Sequence, residues 1–341
     1  MFGAKKTARI MLLTLVLLLG LAQPGQAAED RKLRIVASVF PQYDWLRNIL
    51  GERLDEVELT LLQDSGVDLH NFQPSARDIM KVSSAELFVY IGGISDNWVE
   101  NAVSQAVNKD IVAVNLIKAL GDAVKKDVSI EGMQDTTRAH NDEGPDNEHE
   151  HDHEHENTAH IHDHDDEHIW LSLRNAQVLS QLLADRLSQL DPDYAAVYQT
   201  NAAAYIRELQ ALDSEFQSAA DKAAQKTLLF ADRFPFRYMM DDYGLLYFAA
   251  FAGCSAETEA SFDTITFLSG KVDELELKHV LVLEGADKAL ASTVIDNTET
   301  KGQTMIVFNS MQSVDQAALA QGASYLGIMK ENLQALIAAL N

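Results

Sequence analysis

The chain has 341 residues, with 27 Lys or Arg against 52 Asp or Glu and a formal net charge of −25. An acidic excess of that size repels nucleic acid and anionic lipid headgroups and attracts cations. The single cysteine, Cys254, excludes an intramolecular disulfide, so stability must come from a buried core, which roughly 310 residues can build as two lobes.

Lys5, Lys6 and Arg9 precede an apolar run from Ile10 to Ala22, and Gly25-Gln26-Ala27 then offers small residues at a cleavage position. Residues 1–27 read as a secretory signal peptide, because the apolar run is shorter than the roughly 20 residues a membrane span needs. No cysteine stands close after the run, so a cysteine-linked lipid anchor is not expected. The mature chain is expected to be exported to a periplasm, soluble and monomeric.

Strand and helix signals then alternate. Leu33 to Val39, Val57 to Leu62, Glu86 to Ile91 and Ile111 to Val114 read as strands. Tyr43 to Leu50, Arg77 to Ser84 and Trp98 to Val107 read as helices, the first closed by Gly51. This β-α-β-α order favours a parallel sheet. From about 126 to 166 the pattern dissolves. Nine of the eleven histidines lie between His140 and His168, with twelve Asp or Glu and no Lys or Arg. Such a segment has too little apolar content to bury and is expected to be a mobile loop. Imidazole nitrogen and carboxylate oxygen together form the donor set that zinc and its neighbours prefer.

Asn175 to Leu190 reads as an apolar-periodic helix. Asp191-Pro192 then restarts the chain, Asp as an N-cap and Pro at the first helical position. Tyr198, Tyr205, Leu209, Leu212 and Phe216 recur mostly at spacings of three and four, which predicts one long helix over 191–224. A second α/β set follows. Its strands are expected at Leu228 to Ala231, Phe248 to Phe251, Val280 to Leu283 and Met305 to Phe308, and its helices at Tyr238 to Tyr243, Thr264 to Leu275 and Tyr325 to Leu340. The expected architecture is two Rossmann-like α/β lobes, 28–190 and 225–341, joined by a long backbone helix, with a metal cleft between them.

His70 stands in Asp68-Leu69-His70-Asn71-Phe72-Gln73-Pro74-Ser75, and His168 in Asp166-Glu167-His168-Ile169-Trp170-Leu171. These segments resemble the metal-binding motifs of the ZnuA/TroA type, the solute-binding subunits of ABC importers for zinc and manganese. Gly253 to Ser261 and the helix after Asp191-Pro192 also resemble that family, and the acidic, His-rich tract resembles its zinc-selective members. The resemblance implies His70 and His168 as metal ligands, an inner-membrane permease of the importer as partner, and capture rather than catalysis. In the second lobe the chain departs from the pattern. Ala231 and Asn309 stand where the family places its third and fourth ligands. Asp232 is the expected replacement and Glu284 the next candidate. Glu257 and Glu259 read equally well as first-turn helix residues, and His279 reads as a surface residue.

Imidazoles favour zinc over manganese, which prefers oxygen-rich six-coordinate sites. A periplasmic zinc store without an importer is the alternative within the binding class. A metal-dependent hydrolase is disfavoured: in His162-Asp163-His164-Asp165-Asp166-Glu167-His168, Glu167 occupies the place where a binuclear hydrolase motif requires its last His. Gly-x-Ser-x-Gly does not occur. The tract ends at a ligand, so it is expected to collect zinc weakly and raise its concentration at the cleft.

Overall fold

The computed structural model describes residues 32–134, 160–253, 255 and 259–341. The leader, most of the histidine tract, Cys254 and Glu257 lie outside the described residues. The chain divides into Met1–Leu33 and Arg34–Asn341, and the description that follows concerns the second unit.

Two four-stranded sheets carry the fold. The first contains β1 (Leu33–Ala37), β2 (Val57–Leu61), β3 (Leu87–Tyr90) and β4 (Val112–Asn115) in the order β2-β1-β3-β4. β1 runs parallel to β3, and β3 to β4. The apolar run Leu87-Phe88-Val89 is buried on both sides, as a central parallel strand requires. Phe88 anchors a core with Val36, Leu62, Val82 and Val99.

The first sheet is followed by a small antiparallel pair, β5 (Lys126–Ser129) and β6 (His160–Asp165). The segment from 126 to 166 thus differs from the structureless loop that its composition predicts: both of its ends are strands. Each is short, and thirty residues, 130–159, separate them, so neither carries a periodic signal long enough to read alone.

The second sheet contains β7 (Thr227–Phe234), β8 (Leu246–Ala252), β9 (His279–Leu283) and β10 (Thr304–Phe308) in the order β10-β9-β7-β8. All three pairings are parallel. Its core gathers Leu229, Ala250, Leu268, Val280 and Val282.

Asp191-Pro192 does restart the chain. One turn of 3₁₀ helix over Pro192–Tyr194 leads into an unbroken 28-residue α-helix, Ala195–Lys222, roughly 42 Å long at 1.5 Å per residue. Its buried stripe is Tyr198, Ala202, Tyr205, Leu209, Leu212, Phe216 and Ala220. Near its start Asn201 Nδ2 donates to Ile49 O at 3.0 Å, on the helix Phe40–Leu50 of the first lobe. Farther along, Phe216 stacks on Tyr243 of the second lobe, with ring centroids 5.2 Å apart. The helix is therefore a shared spine, packed against elements of both lobes. Among the described residues no helix is long and apolar enough to cross a membrane.

Candidate metal centre

His70 and His168 are 98 positions apart in sequence, yet their Nε2 atoms lie 3.2 Å apart in the fold. His70 sits in a single 3₁₀ turn, Leu69–Asn71, whose start is capped by Asp68: Asp68 Oδ1 accepts from His70 N at 3.0 Å. His168 precedes a second such turn, Ile169–Leu171. All three residues of that turn are buried, and Trp170 Nε1 donates to Ser310 O at 2.8 Å, across to the second lobe. Tyr325 Oη in turn donates to Trp170 O at 2.6 Å. The Ile-Trp-Leu part of the motif therefore pins the histidine by apolar burial and by two bonds between lobes.

The hydrogen bonds behind the rings fix their tautomers. Asp166 Oδ1 lies 2.8 Å from His168 Nδ1 and also accepts from His168 N at 2.9 Å. A carboxylate only accepts, so Nδ1 carries a proton and, in the neutral ring, Nε2 presents a lone pair. On the other side, Ser95 Oγ donates to Glu167 Oε2 at 2.5 Å, and Ser95 N donates to Glu167 Oε1 at 2.8 Å. The hydroxyl proton is thereby committed, and His70 Nδ1, 3.1 Å from Ser95 Oγ, must donate to it. His70 Nε2 is then also a lone pair. Two lone pairs facing each other at 3.2 Å repel unless a cation lies between them. Carboxylates placed behind imidazoles are the usual way to orient a metal-binding histidine.

Glycine is required where these groups crowd the backbone. Gly93 has φ +82°, and a Cβ there would collide with the Glu167 carboxylate. At Gly253 a Cβ would lie 2.9 Å from His168 Cε1 and 2.8 Å from Phe234 O.

Burial lowers the His70 pKa to about 4, assisted by the neighbouring His168 and Arg233 and opposed by Asp68. At His168 burial acts the same way, but the hydrogen bond and charge of Asp166 outweigh it and hold the pKa above the ordinary value. A proton entering the pair thus goes to His168, and at neutral pH His70 is a free base.

Of the four residues expected to hold a metal, the structure brings His70 and His168 together and leaves Asp232 and Glu284 apart from them. Asp232 accepts Arg233 N at 2.8 Å and Leu283 N at 3.0 Å, one on each oxygen. Glu284 accepts Ser310 N at 2.8 Å and Ser310 Oγ at 2.7 Å, again one on each oxygen. Among the described residues no three His, Cys, Asp or Glu side chains form a metal-holding group. Asp232 and Glu284 line a neighbouring cavity of about 710 Å³ with Ala231, Arg233, Asp68 and Asn71. Arg233 Nη1 crosses it to Asp68 Oδ2 at 3.0 Å. His279 Nδ1 is 2.7 Å from Thr304 Oγ1 at the far end of β9.

Sequence reasoning missed Ser95, Gln312 and the roles of Asp166 and Glu167. The two acids stand inside the His168 motif and could have been read as orienting groups. Ser95 and Gln312 carry no local signal.

Two α/β sheets share a helical spine, and the imidazole pair lies where the first lobe meets the residues after β10. The chain belongs to the ZnuA family, described as zinc-uptake complex component A, periplasmic, whose model matches residues 35–339. It is 30% identical over 331 residues to the zinc-binding lipoprotein AdcA of Streptococcus pneumoniae, covering 97% of this chain and 60% of AdcA. The chain thus spans about 60% of the length of the AdcA relatives it matches. It is 30% identical over 305 residues to the high-affinity zinc uptake system protein ZnuA of Bacillus subtilis, covering 89% of this chain and 86% of that protein. Among solved structures, the metal-dependent lipoprotein YcdH of Bacillus subtilis superposes with a TM-score of 0.69 at 25% identity, covering 91% of this chain and 100% of YcdH. The Zn(II)-bound ZnuA-like domain of S. pneumoniae AdcA gives a TM-score of 0.67 at 26% identity, covering 91% of this chain and 99% of that domain.

Proposed function

We propose that this chain is exported by the leader at 1–27, captures zinc between its lobes and delivers it to the permease of an ABC-type importer. The observation that carries this reading is the pair of Nε2 lone pairs held 3.2 Å apart by Asp166 on one side and Ser95 and Glu167 on the other. Two nitrogens, each about 2.0–2.1 Å from a tetrahedral zinc, lie about 3.3 Å apart, so the rings already stand at a tetrahedron's edge. Zinc-binding names among the relatives support the choice of cargo. Export rests on the leader's composition, and the relative AdcA of Streptococcus pneumoniae is a lipoprotein. The role is binding rather than catalysis, with the metal as cargo.

The histidine tract serves as a weak local reservoir in this reading. It leaves the described fold at Gln134, which is fastened to the second lobe through Gln134 N to Ala250 O at 2.9 Å, and it returns at His160, the first residue of β6. The test is zinc titration by calorimetry of a chain in which residues 135–159 are replaced by a short Gly-Ser linker. Stoichiometry should fall towards one zinc per chain while the tight event persists. Loss of the tight event would show that the tract itself holds the tightly bound zinc.

A second test addresses the orienting acid. Asp166→Ala frees His168 Nδ1 and lets the ring adopt the wrong tautomer. Zinc affinity should fall about 10- to 100-fold, with far-UV circular dichroism unchanged. An unaltered affinity would mean that Asp166 does not orient the ligand.

A further inference from the structure

Both imidazoles belong to the first lobe, and Ala231 and Asn309 offer the second lobe no strong donor. What the second lobe does bring to the pair is Gln312. Its Nε2 lies 3.1 Å from His168 Nε2, and the residue is only 6% exposed.

The turn that delivers Gln312 is built for the purpose by the residues after β10. Asn309 N donates to Asn332 Oδ1, and Asn332 Nδ2 donates back to Asn309 O, both at 2.8 Å. Asn309 Oδ1 accepts Met311 N at 2.8 Å. Ser310 gives both its N–H and its hydroxyl to Glu284, and its carbonyl receives Trp170 Nε1. Met311 is buried with φ +62°, a left-handed conformation that is unfavourable for a side-chain-bearing residue. Backbone held in such a region by its surroundings is concentrated at ligand-binding positions. Asn309 and Glu284 therefore shape the turn, and the side chain it aims at the imidazoles is that of residue 312.

A primary amide has two faces. Rotating it by half a turn about its last side-chain bond exchanges nitrogen and oxygen at nearly the same positions. Facing the lone pair of His168 Nε2, the N–H side is favoured. Facing a dication, the carbonyl oxygen is favoured. The two separations around His168 Nε2, 3.2 Å to His70 and 3.1 Å to Gln312, are both close to the roughly 3.3 Å edge of a tetrahedral zinc site.

We propose that Gln312 supplies the second-lobe donor to the bound metal, its amide turning from the His168 lone pair to the ion as the site fills. This rests on the reading of His70 and His168 as zinc ligands. The ligand set is then neutral: two imidazoles, one amide oxygen and a place for water. A carboxylate at position 312 would add charge to the same corner and tighten the site.

The experiment uses the chain with the Gly-Ser linker in place of 135–159, as wild type, Gln312→Ala, Gln312→Glu and His70→Ala. Zinc is titrated by calorimetry, and the visible spectrum of the cobalt(II)-loaded form reports coordination. Gln312→Ala should weaken zinc at least about tenfold, the lower bound for removing even an outer partner. Gln312→Glu should tighten zinc and shift the cobalt bands. If His70→Ala binds as tightly as wild type, the imidazole reading itself fails. If His70→Ala loses the site while both Gln312 variants keep wild-type affinity and the wild-type cobalt spectrum, the imidazole reading stands and the role of Gln312 is overturned. Should Gln312→Ala fail to fold, Gln312→Glu, which is nearly the same size, decides alone.

Discussion

Replacing His70 and His168 together by alanine, in the chain with the Gly-Ser linker at 135–159, is expected to abolish tight zinc uptake. The expected loss exceeds about 100-fold, because removing only an outer partner of a metal ligand already costs about 10- to 100-fold. The two rings approach at their Nε2 atoms, and the contacts of their Nδ1 atoms with Ser95 and Asp166 fix which nitrogen faces the other ring. His168 is buried against Trp170, with ring centroids 5.4 Å apart, so its truncation also leaves a void. His168→Gln separates the two effects, since it fills the space with a neutral side chain. Calorimetry with thermal denaturation as control checks the result. Tight, one-to-one uptake by a folded double variant would refute the site.

The second large effect concerns stability. Asp96 is buried, and its Oδ2 accepts Gly92 N at 2.9 Å. Burial raises its pKa to about 7, with the nearby Glu167 adding to the effect and the hydrogen bond opposing it. The folded state therefore keeps the proton at pH values where the unfolded chain, with an ordinary carboxyl near 3.8, has lost it. Stability is highest on the acid side and is lost as pH rises from about 4 to about 7, where the whole penalty is on the order of 4 kcal/mol. Asp96→Asn retains an acceptor for Gly92 N and carries no charge. It should melt several degrees higher than wild type at pH 8 and almost equally at pH 4. An equal shift at both pH values would rule out ionisation of Asp96 as the cause.

The parts of the fold that the sequence shows best are those with long periodic signals. The stripe from Tyr198 to Phe216 marks the spine because one helix face repeats over many turns. Gly51 marks the end of the helix Phe40–Leu50 because φ +54° there favours a residue without Cβ. The helix Ala289–Asp296 goes unread. Its N-cap is Lys288, in a left-handed conformation with no cap from its own side chain, and the acid that accepts from Ala289 N, Asp287, stands one residue earlier than the usual capping position. β5 and β6 go unread because their pairing is decided across the acidic tract and not within either strand.

The site divides in the same way. Each histidine sits in a contiguous run whose neighbours do local work: Asp68 caps the turn of His70, Asp166 holds Nδ1 of His168, and Trp170 anchors the turn that follows. Such roles are written within a few residues, so the sequence alone determined the two histidine motifs and the α/β order of the lobes. Which second-lobe group meets those imidazoles was decided only in three dimensions. Asp232 and Glu284 have the right chemistry, but backbone N–H groups and a serine already occupy their oxygens. Gln312 has weaker chemistry but the right position, because a strained turn after β10, tied to Asn332, Glu284 and Trp170, aims it at His168. Hydrogen bonds between segments 23 to 140 residues apart set that direction, and no local pattern encodes them.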